Sequence, residues 1–202
     1  MVRSAIPPHI LKQLGHIEPD ARFSGDLPQV TSSSGKTYFV KAGSPREREQ
    51  YVGEAESLRA MALAAPGLVP SLLAFGFVDE KGEEIVDGDG DGEGEGRPFF
   101  ISEYKHLTAL TERSGATLGR RLATEMHGRT STSPNGRYGF EVPTFCGATR
   151  LRNGWYETWE RCFDALVGDL LSTLEARGGY SDLCGKGREV RQRRVLDRGL
   201  SS

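Results

Sequence analysis

Thr37-Tyr38-Phe39-Val40-Lys41-Ala42-Gly43-Ser44-Pro45-Arg46-Glu47 is the stretch on which the fold turns. Its first six residues are β-branched, aromatic and apolar, read as a strand, and stop at Gly43. Ser44, Pro45 and Glu47 then form a helix start: a Ser cap, Pro in the first turn and Glu at the third position. The helix this opens runs to about Ala65, with Leu58, Met61, Ala62 and Ala65 on its apolar face, and breaks at Pro66-Gly67. A lysine therefore closes an apolar strand, and Glu54 follows 13 residues later inside a helix. In kinases this arrangement holds ATP phosphates, because the ammonium binds phosphate oxygens and the carboxylate fixes the ammonium.

The neighbouring segments extend the sheet. Ile10, Leu11 and Leu14 mark a short opening helix, with a loop through Gly15 and Pro19. Ser24-Gly25-Asp26 reads as a turn between the first strands and as the candidate phosphate-facing loop, where only backbone N–H groups would serve. Ser32 to Lys36 is a second turn. Leu72–Val78 and Pro98–Tyr104 are two further strands. Between them, residues 79–95 carry nine acidic residues against one lysine in a Gly-Asp and Gly-Glu alternation, read as a disordered hairpin insertion over 79–97. Asp87 to Gly92 opens like a calcium loop, but Pro98 stands where the bidentate Glu is needed. Gly35-Lys36-Thr37 lacks the earlier glycine of a P-loop and reads as a hairpin turn.

Beyond Tyr104 the pattern becomes helical. A second helix is expected from Thr111 to about Gly128, with Leu118, Leu122 and Met126 on one side, and a loop-rich stretch to Gly154. The third helix has the clearest stripe: Phe163, Leu166, Val167, Leu170, Leu171 and Leu174, before a stop at Gly178-Gly179. Residues 183–202 hold six Lys or Arg against two acids and no apolar period, so residues 184–202 are expected to be an aberrant or disordered basic tail. Strands with one helix among them, followed by helices, give an α+β class.

Composition narrows the function classes. Of the 202 residues, 37 % are hydrophobic and 27 % charged, which suits a packed globular chain. A net charge of -2 offers no general attraction to nucleic acid or an anionic membrane, and no run of about 18 apolar residues occurs. Three widely spaced cysteines, Cys146, Cys162 and Cys184, suggest neither a disulfide framework nor a zinc site, and fit reduced thiols in a cytoplasmic protein.

Several separate segments agree with one family. Phe39-Val40-Lys41 and Gly53-Glu54-Ala55-Glu56-Ser57-Leu58 resemble the ATP-lysine strand and the G-E-x-x-x-L helix of the fructosamine/ketosamine-3-kinase family. Phe100-Ile101-Ser102-Glu103-Tyr104 resembles its strand into the hinge. Leu118-Gly119 with Met126-His127, Tyr138-Gly139-Phe140 with Cys146-Gly147, and Asn153-Gly154-Trp155 with Trp159 and Phe163 complete the match over roughly residues 20–183.

The resemblance implies a protein-kinase-like fold, with a small antiparallel-sheet N-lobe over 1–104 and the first part of a helical C-lobe over 105–183. It implies ATP and Mg²⁺ as cofactors, Lys41 and Glu54 at the phosphates, and Ile101, Ser102, Glu103 and Tyr104 at the adenine. It further implies phosphorylation of the 3-hydroxyl of ketosamines, either small molecules or adducts on glycated protein lysines. Trp155, Tyr156 and Trp159 read first as core packing beneath the third helix, with Trp155 and Trp159 as the candidates to stack on the sugar adduct. The family's H-G-D loop and D-P-A strand end, which would carry the catalytic Asp and the metal-binding Asp, do not occur in these residues. Truncation ahead of that chemistry is the expectation, and an inactive nucleotide-binding or interaction fragment is the alternative function.

Overall fold

A computed structural model describes residues 6–85, 96–127 and 134–196. Contacts divide the chain into two compact units, Met1–Arg129 and Thr130–Ser202. The first unit opens with α1 (Pro8–Ile17), then β1 (Phe23–Asp26), β2 (Gln29–Ser32) and β3 (Thr37–Ala42). A 3₁₀ turn, Pro45–Glu47, leads into α2 (Arg48–Ala64), followed by β4 (Leu72–Val78), β5 (Glu84–Ile85) and β6 (Arg97–Glu103). Helix α3 (Glu112–Arg121) continues as a π-helical turn, Leu122–His127. The six strands form one sheet in the order β1-β2-β3-β6-β4-β5, antiparallel throughout.

Strand alternation sorts side chains to opposite faces, and here both faces of the sheet are covered. One face packs on α1 through Ile10, Leu14, Val30, Tyr38, Val40, Val78, Phe99 and Ile101. The other packs on α2 through Tyr51, Ala55 and Phe100, with Phe39, Leu58, Leu72 and Phe75 beside them. Double coverage explains why Pro98-Phe99-Phe100-Ile101 is apolar without alternation: β6 is central, and its neighbouring residues are buried against different helices.

The strand at 37–42 and the capping box of Ser44 with Glu47 stand as the sequence indicates. Other expectations shift. Helix α1 continues through Gly15. Ser24-Gly25-Asp26 lies within β1, paired with Val30 and its neighbours, and the chain reverses at Leu27-Pro28 instead. Gly25, at φ 117, approaches the carbonyl of Gln29 so closely that a Cβ would collide with it. Of the expected acidic insertion, residues 79–85 form a turn and the short strand β5, paired with Phe77 and Val78. Residues 86–95, including the calcium-like run, lie outside the described residues. The first unit extends past the expected limit at Tyr104, because Arg121 donates from Nη2 to the Pro66 carbonyl at 2.9 Å and ties α3 to the end of α2.

In the second unit the stretch expected to be loop-rich holds four short strands, β7 (Tyr138–Gly139), β8 (Thr144–Cys146), β9 (Thr149–Leu151) and β10 (Trp155–Tyr156). β8 pairs with β9 and β10 with β7. Helix α4 (Trp159–Arg177) starts at a Thr158 cap, and as far as Leu196 the tail expected to be disordered is helix α5 (Ser181–Leu196) instead, residues 197–202 lying outside the described residues.

Helix α5 packs without an apolar stripe. Cys184 is buried, Gly187 leaves room for the Leu171 side chain, and Arg188 pairs with Glu175. Arg191 grips Asp164 through Nε at 2.6 Å and Nη2 at 2.7 Å. The Leu166, Leu170 and Leu174 stripe of α4 is half-buried.

Two outcomes test this packing. Phe99→Ala should cost ~3–5 kcal/mol in urea denaturation, whereas Leu107→Ala, at a residue 89 % exposed, should cost less than about 0.5 kcal/mol. The second concerns acid. Hydrogen bonds from Arg191 hold the Asp164 carboxyl below its ordinary 3.8, so its stabilisation is complete above that pH and is lost as pH falls through the lowered value. The stability gap between wild type and Asp164→Asn should therefore be widest at neutral pH and close in acid.

Candidate functional site

The best-formed polar arrangement in the first unit is built where β3 runs into α2. Gly43 donates its backbone N–H to the Pro98 carbonyl at 2.9 Å, and a Cβ there would press on the Tyr51 ring and on Pro98. The chain then turns through the capping box. Ser44 donates both its backbone N–H and its hydroxyl to Glu47 Oε2 at 2.8 Å, and these bonds hold the Glu47 carboxyl below the usual range. This fixes the first turn of α2, whose next turn presents Tyr51 and Glu54, an i,i+3 pair on one helix face.

Lys41 and Glu54 meet there. Lys41 Nζ donates to Glu54 Oε2 at 2.5 Å, and the ammonium also lies 5.1 Å from the Tyr51 ring centroid and 5.9 Å from that of Phe100. Phe100 is the residue directly across the β3–β6 ladder from Lys41. Burial, aided by the charges of Glu47 and Glu54, pushes the Tyr51 hydroxyl up to about 12, so it stays neutral. Lys41 and Glu54 remain 31 % and 36 % exposed, which leaves the ammonium within reach of a ligand. Such a half-solvated pair contributes little to folding. Its content is positional.

The other expected residues fall differently. Ile101 is fully buried against α1, on the sheet face away from Lys41, and Ser102 is 2 % exposed. Their side chains cannot meet a ligand from solvent. Glu103 pairs with Tyr38, three residues along β3 from Lys41, or about 10 Å at strand spacing. Its carboxylate is held low by a 2.6 Å hydrogen bond from Lys105, and its backbone N–H donates to the Ser71 carbonyl at 2.9 Å. Tyr104 donates its N–H to the Thr37 carbonyl at 3.3 Å, and its ring meets His106 edge-on.

Glu103, Tyr104 and His106 line a cavity of about 620 Å³ together with Ile17, Lys36, Tyr38 and Ser71. Lys41 and Glu54 do not line it. The cavity reaches the α1 side of the sheet, and the ion pair belongs to the α2 side.

In the second unit, the motifs quoted above have scaffold geometry. A Cβ at Gly139, φ 143, would collide with the Gly154 carbonyl, and Asn153 Nδ2 donates to the Val142 carbonyl at 2.8 Å and to Thr144 Oγ1 at 2.9 Å. Trp155 is half-buried in β10. Trp159 is 47 % exposed between Tyr138 and Phe163, with ring centroids 6.4 and 6.1 Å away, so it is not a core side chain beneath α4.

Two carboxylates of α4 are engaged: Asp164 is held by Arg191, and Asp169 accepts the Arg152 N–H at 3.0 Å. Among the described residues no three His, Cys, Asp or Glu side chains gather as a metal site. No helix among them is long and apolar enough to cross a membrane.

Tyr51 and Phe100 are the residues missed from sequence. Tyr51 carried a signal, an aromatic one helical turn before the glutamate; Phe100 was visible only as part of an apolar run.

Comparison with known proteins agrees with this architecture. The family model described as fructosamine kinase matches residues 21–193. Among solved structures, a protein from Haemophilus somnus 129PT, provisionally designated a fructosamine-3-kinase, superposes with a TM-score of 0.56 at 18 % identity, over 84 % of this chain and 54 % of its own. That likeness is one of fold, and the chain spans about half the length of that relative. No curated protein matches in sequence. The family match extends through most of α5, the segment whose composition suggested an aberrant tail.

If the ion pair is positional, its energetics should be small. A double-mutant cycle of Lys41→Met and Glu54→Gln, read by urea denaturation, should give a coupling below ~1 kcal/mol.

Proposed function

Because the chain belongs to the fructosamine kinase family, we propose that it supplies the nucleotide-gripping part of an ATP-dependent kinase that phosphorylates ketosamines at the sugar 3-hydroxyl. The Lys41–Glu54 pair carries this reading: a strand ammonium, oriented by a helix carboxylate at 2.5 Å and still one-third exposed, suits phosphate oxygens. The end of β6 lies about 10 Å from it along the ladder. Adenine recognition in this reading falls to Glu103 and Tyr104, since the side chains of Ile101 and Ser102 are enclosed.

The substrates in this reading are ribulosamine and fructosamine adducts, free or on glycated protein lysines, and the role is deglycation in the cytosol. Trp159, exposed beside Tyr138, is the better placed of the two tryptophans for stacking on a sugar. Bound ATP would supply the transferable phosphoryl group. Lys41, fixed by Glu54, holds and orients it; no group of three His, Cys, Asp or Glu side chains gathers among the described residues, and no step is assigned through Mg²⁺.

A second reading rests on that same shortage. With Asp164 and Asp169 engaged, the chain is also suited to be a nucleotide-binding or interaction protein without turnover. Phosphoryl transfer depends on a carboxylate at the attacking hydroxyl and on charge stabilisation at the phosphates.

Thermal shift with ATP addresses the shared core of both readings. At 100 times Kd, binding should stabilise wild type by ~2.7 kcal/mol, and Lys41→Ala should abolish the response. A wild type indifferent to ATP would end the nucleotide assignment. Transfer of phosphate from ATP to ribulosyl-lysine by the purified chain would support the kinase and remove the second reading; binding without transfer would do the reverse.

A further inference from the structure

The Lys41 ammonium has more neighbours than its carboxylate partner. Tyr51, 5 % exposed, places its ring centroid 5.1 Å from Nζ, and Phe100, 1 % exposed, places its own at 5.9 Å. Both rings belong to the cluster that binds α2 to the sheet. A cation over an aromatic face is attracted by the ring quadrupole, most strongly where water is scarce. The ammonium therefore has three fixed attractors, one anionic and two aromatic, distributed over a helix and a strand.

We infer that Tyr51 is a positioning residue for Lys41: its ring face holds the ammonium at Glu54 before any nucleotide arrives, so that a ligand meets a preset charge. This rests on the assignment of Lys41 to a nucleotide. The helix spacing supports it, because Tyr51 and Glu54 are three residues apart and reach the same ammonium from successive positions on one face of α2. Gly43 supports it independently, since a side chain there would press on the Tyr51 ring at Cε2 and Cζ. The strand end is thus open at the point where the ring must lie.

The contact with the ammonium is made by the ring face. A lysine side chain is long and flexible, with many rotamers to lose, and the restraint reduces that loss on binding. The ring, and not the phenol oxygen, provides the restraint, so phenylalanine should replace tyrosine and leucine should not.

The experiment uses the full chain and ADP. Affinity is measured by calorimetry for wild type, Lys41→Ala, Tyr51→Phe and Tyr51→Leu, with folding of each checked by its unfolding transition. Tyr51→Leu should bind ADP about fivefold to tenfold more weakly, the size of one partly desolvated cation–π contact, while Tyr51→Phe should match wild type. A readout independent of ligand accompanies it: the Lys41 ε-methylene protons should be ring-current shifted upfield in wild type and Tyr51→Phe, and move downfield in Tyr51→Leu.

Equal ADP affinity for Tyr51→Leu and wild type would overturn the inference and leave the nucleotide site standing, as would weakened binding in Tyr51→Phe. An unshifted Lys41 resonance in wild type would overturn it whatever the affinities. Should wild type and Lys41→Ala respond alike to ADP, the nucleotide reading itself fails and the proposed role of Tyr51 falls with it, even if the ring-current shift places the ring over Lys41.

Discussion

Everything in the first unit is arranged around an ammonium at the end of a strand and a carboxylate on the next helix. For Lys41 and Glu54 to meet at 2.5 Å, β3 must end at one residue, the chain must turn without a side chain at Gly43, and α2 must start in one rotational phase. The Ser44–Glu47 capping box sets that phase. A displacement of one residue in α2 would turn Glu54 by roughly 100°, away from the sheet. The pair itself adds little to stability, so the packing around it has to supply the precision.

That packing comes from covering both faces of one sheet. Helix α1 takes Tyr38, Val40, Phe99 and Ile101, and α2 takes Phe39 and Phe100. The face given to α2 is the face on which Lys41 stands. A buried aromatic cluster therefore ends at its rim in an ammonium that touches both solvent and the two rings.

The second unit solves a different problem with small and polar groups. Short hairpins are drawn together by Asn153 and by the side-chain-free contact of Gly139 with Gly154. Helix α5 is attached to α4 by a buried thiol, a glycine and a bidentate Arg191–Asp164 pair. None of these contacts has a period. This is why a chain segment with no apolar stripe, read as unstructured, is a helix joined to its neighbour.

Sequence by itself determined the strand at 37–42, its lysine, the cap at Ser44 and the helix bearing Glu54, because each rests on interactions between residues near one another in the chain: pleating, capping and helix phase. The family resemblance was legible for the same reason, as short runs of fixed spacing. Tertiary structure alone decided which sheet face each residue of β6 would take. That choice enclosed Ile101 and Ser102, directed Glu103 and Tyr104 to a cavity on the α1 side, and set the Tyr51 and Phe100 rings beside Lys41. It depends on which helix covers which face, a matter of contacts between residues far apart in the chain, for which no local pattern exists.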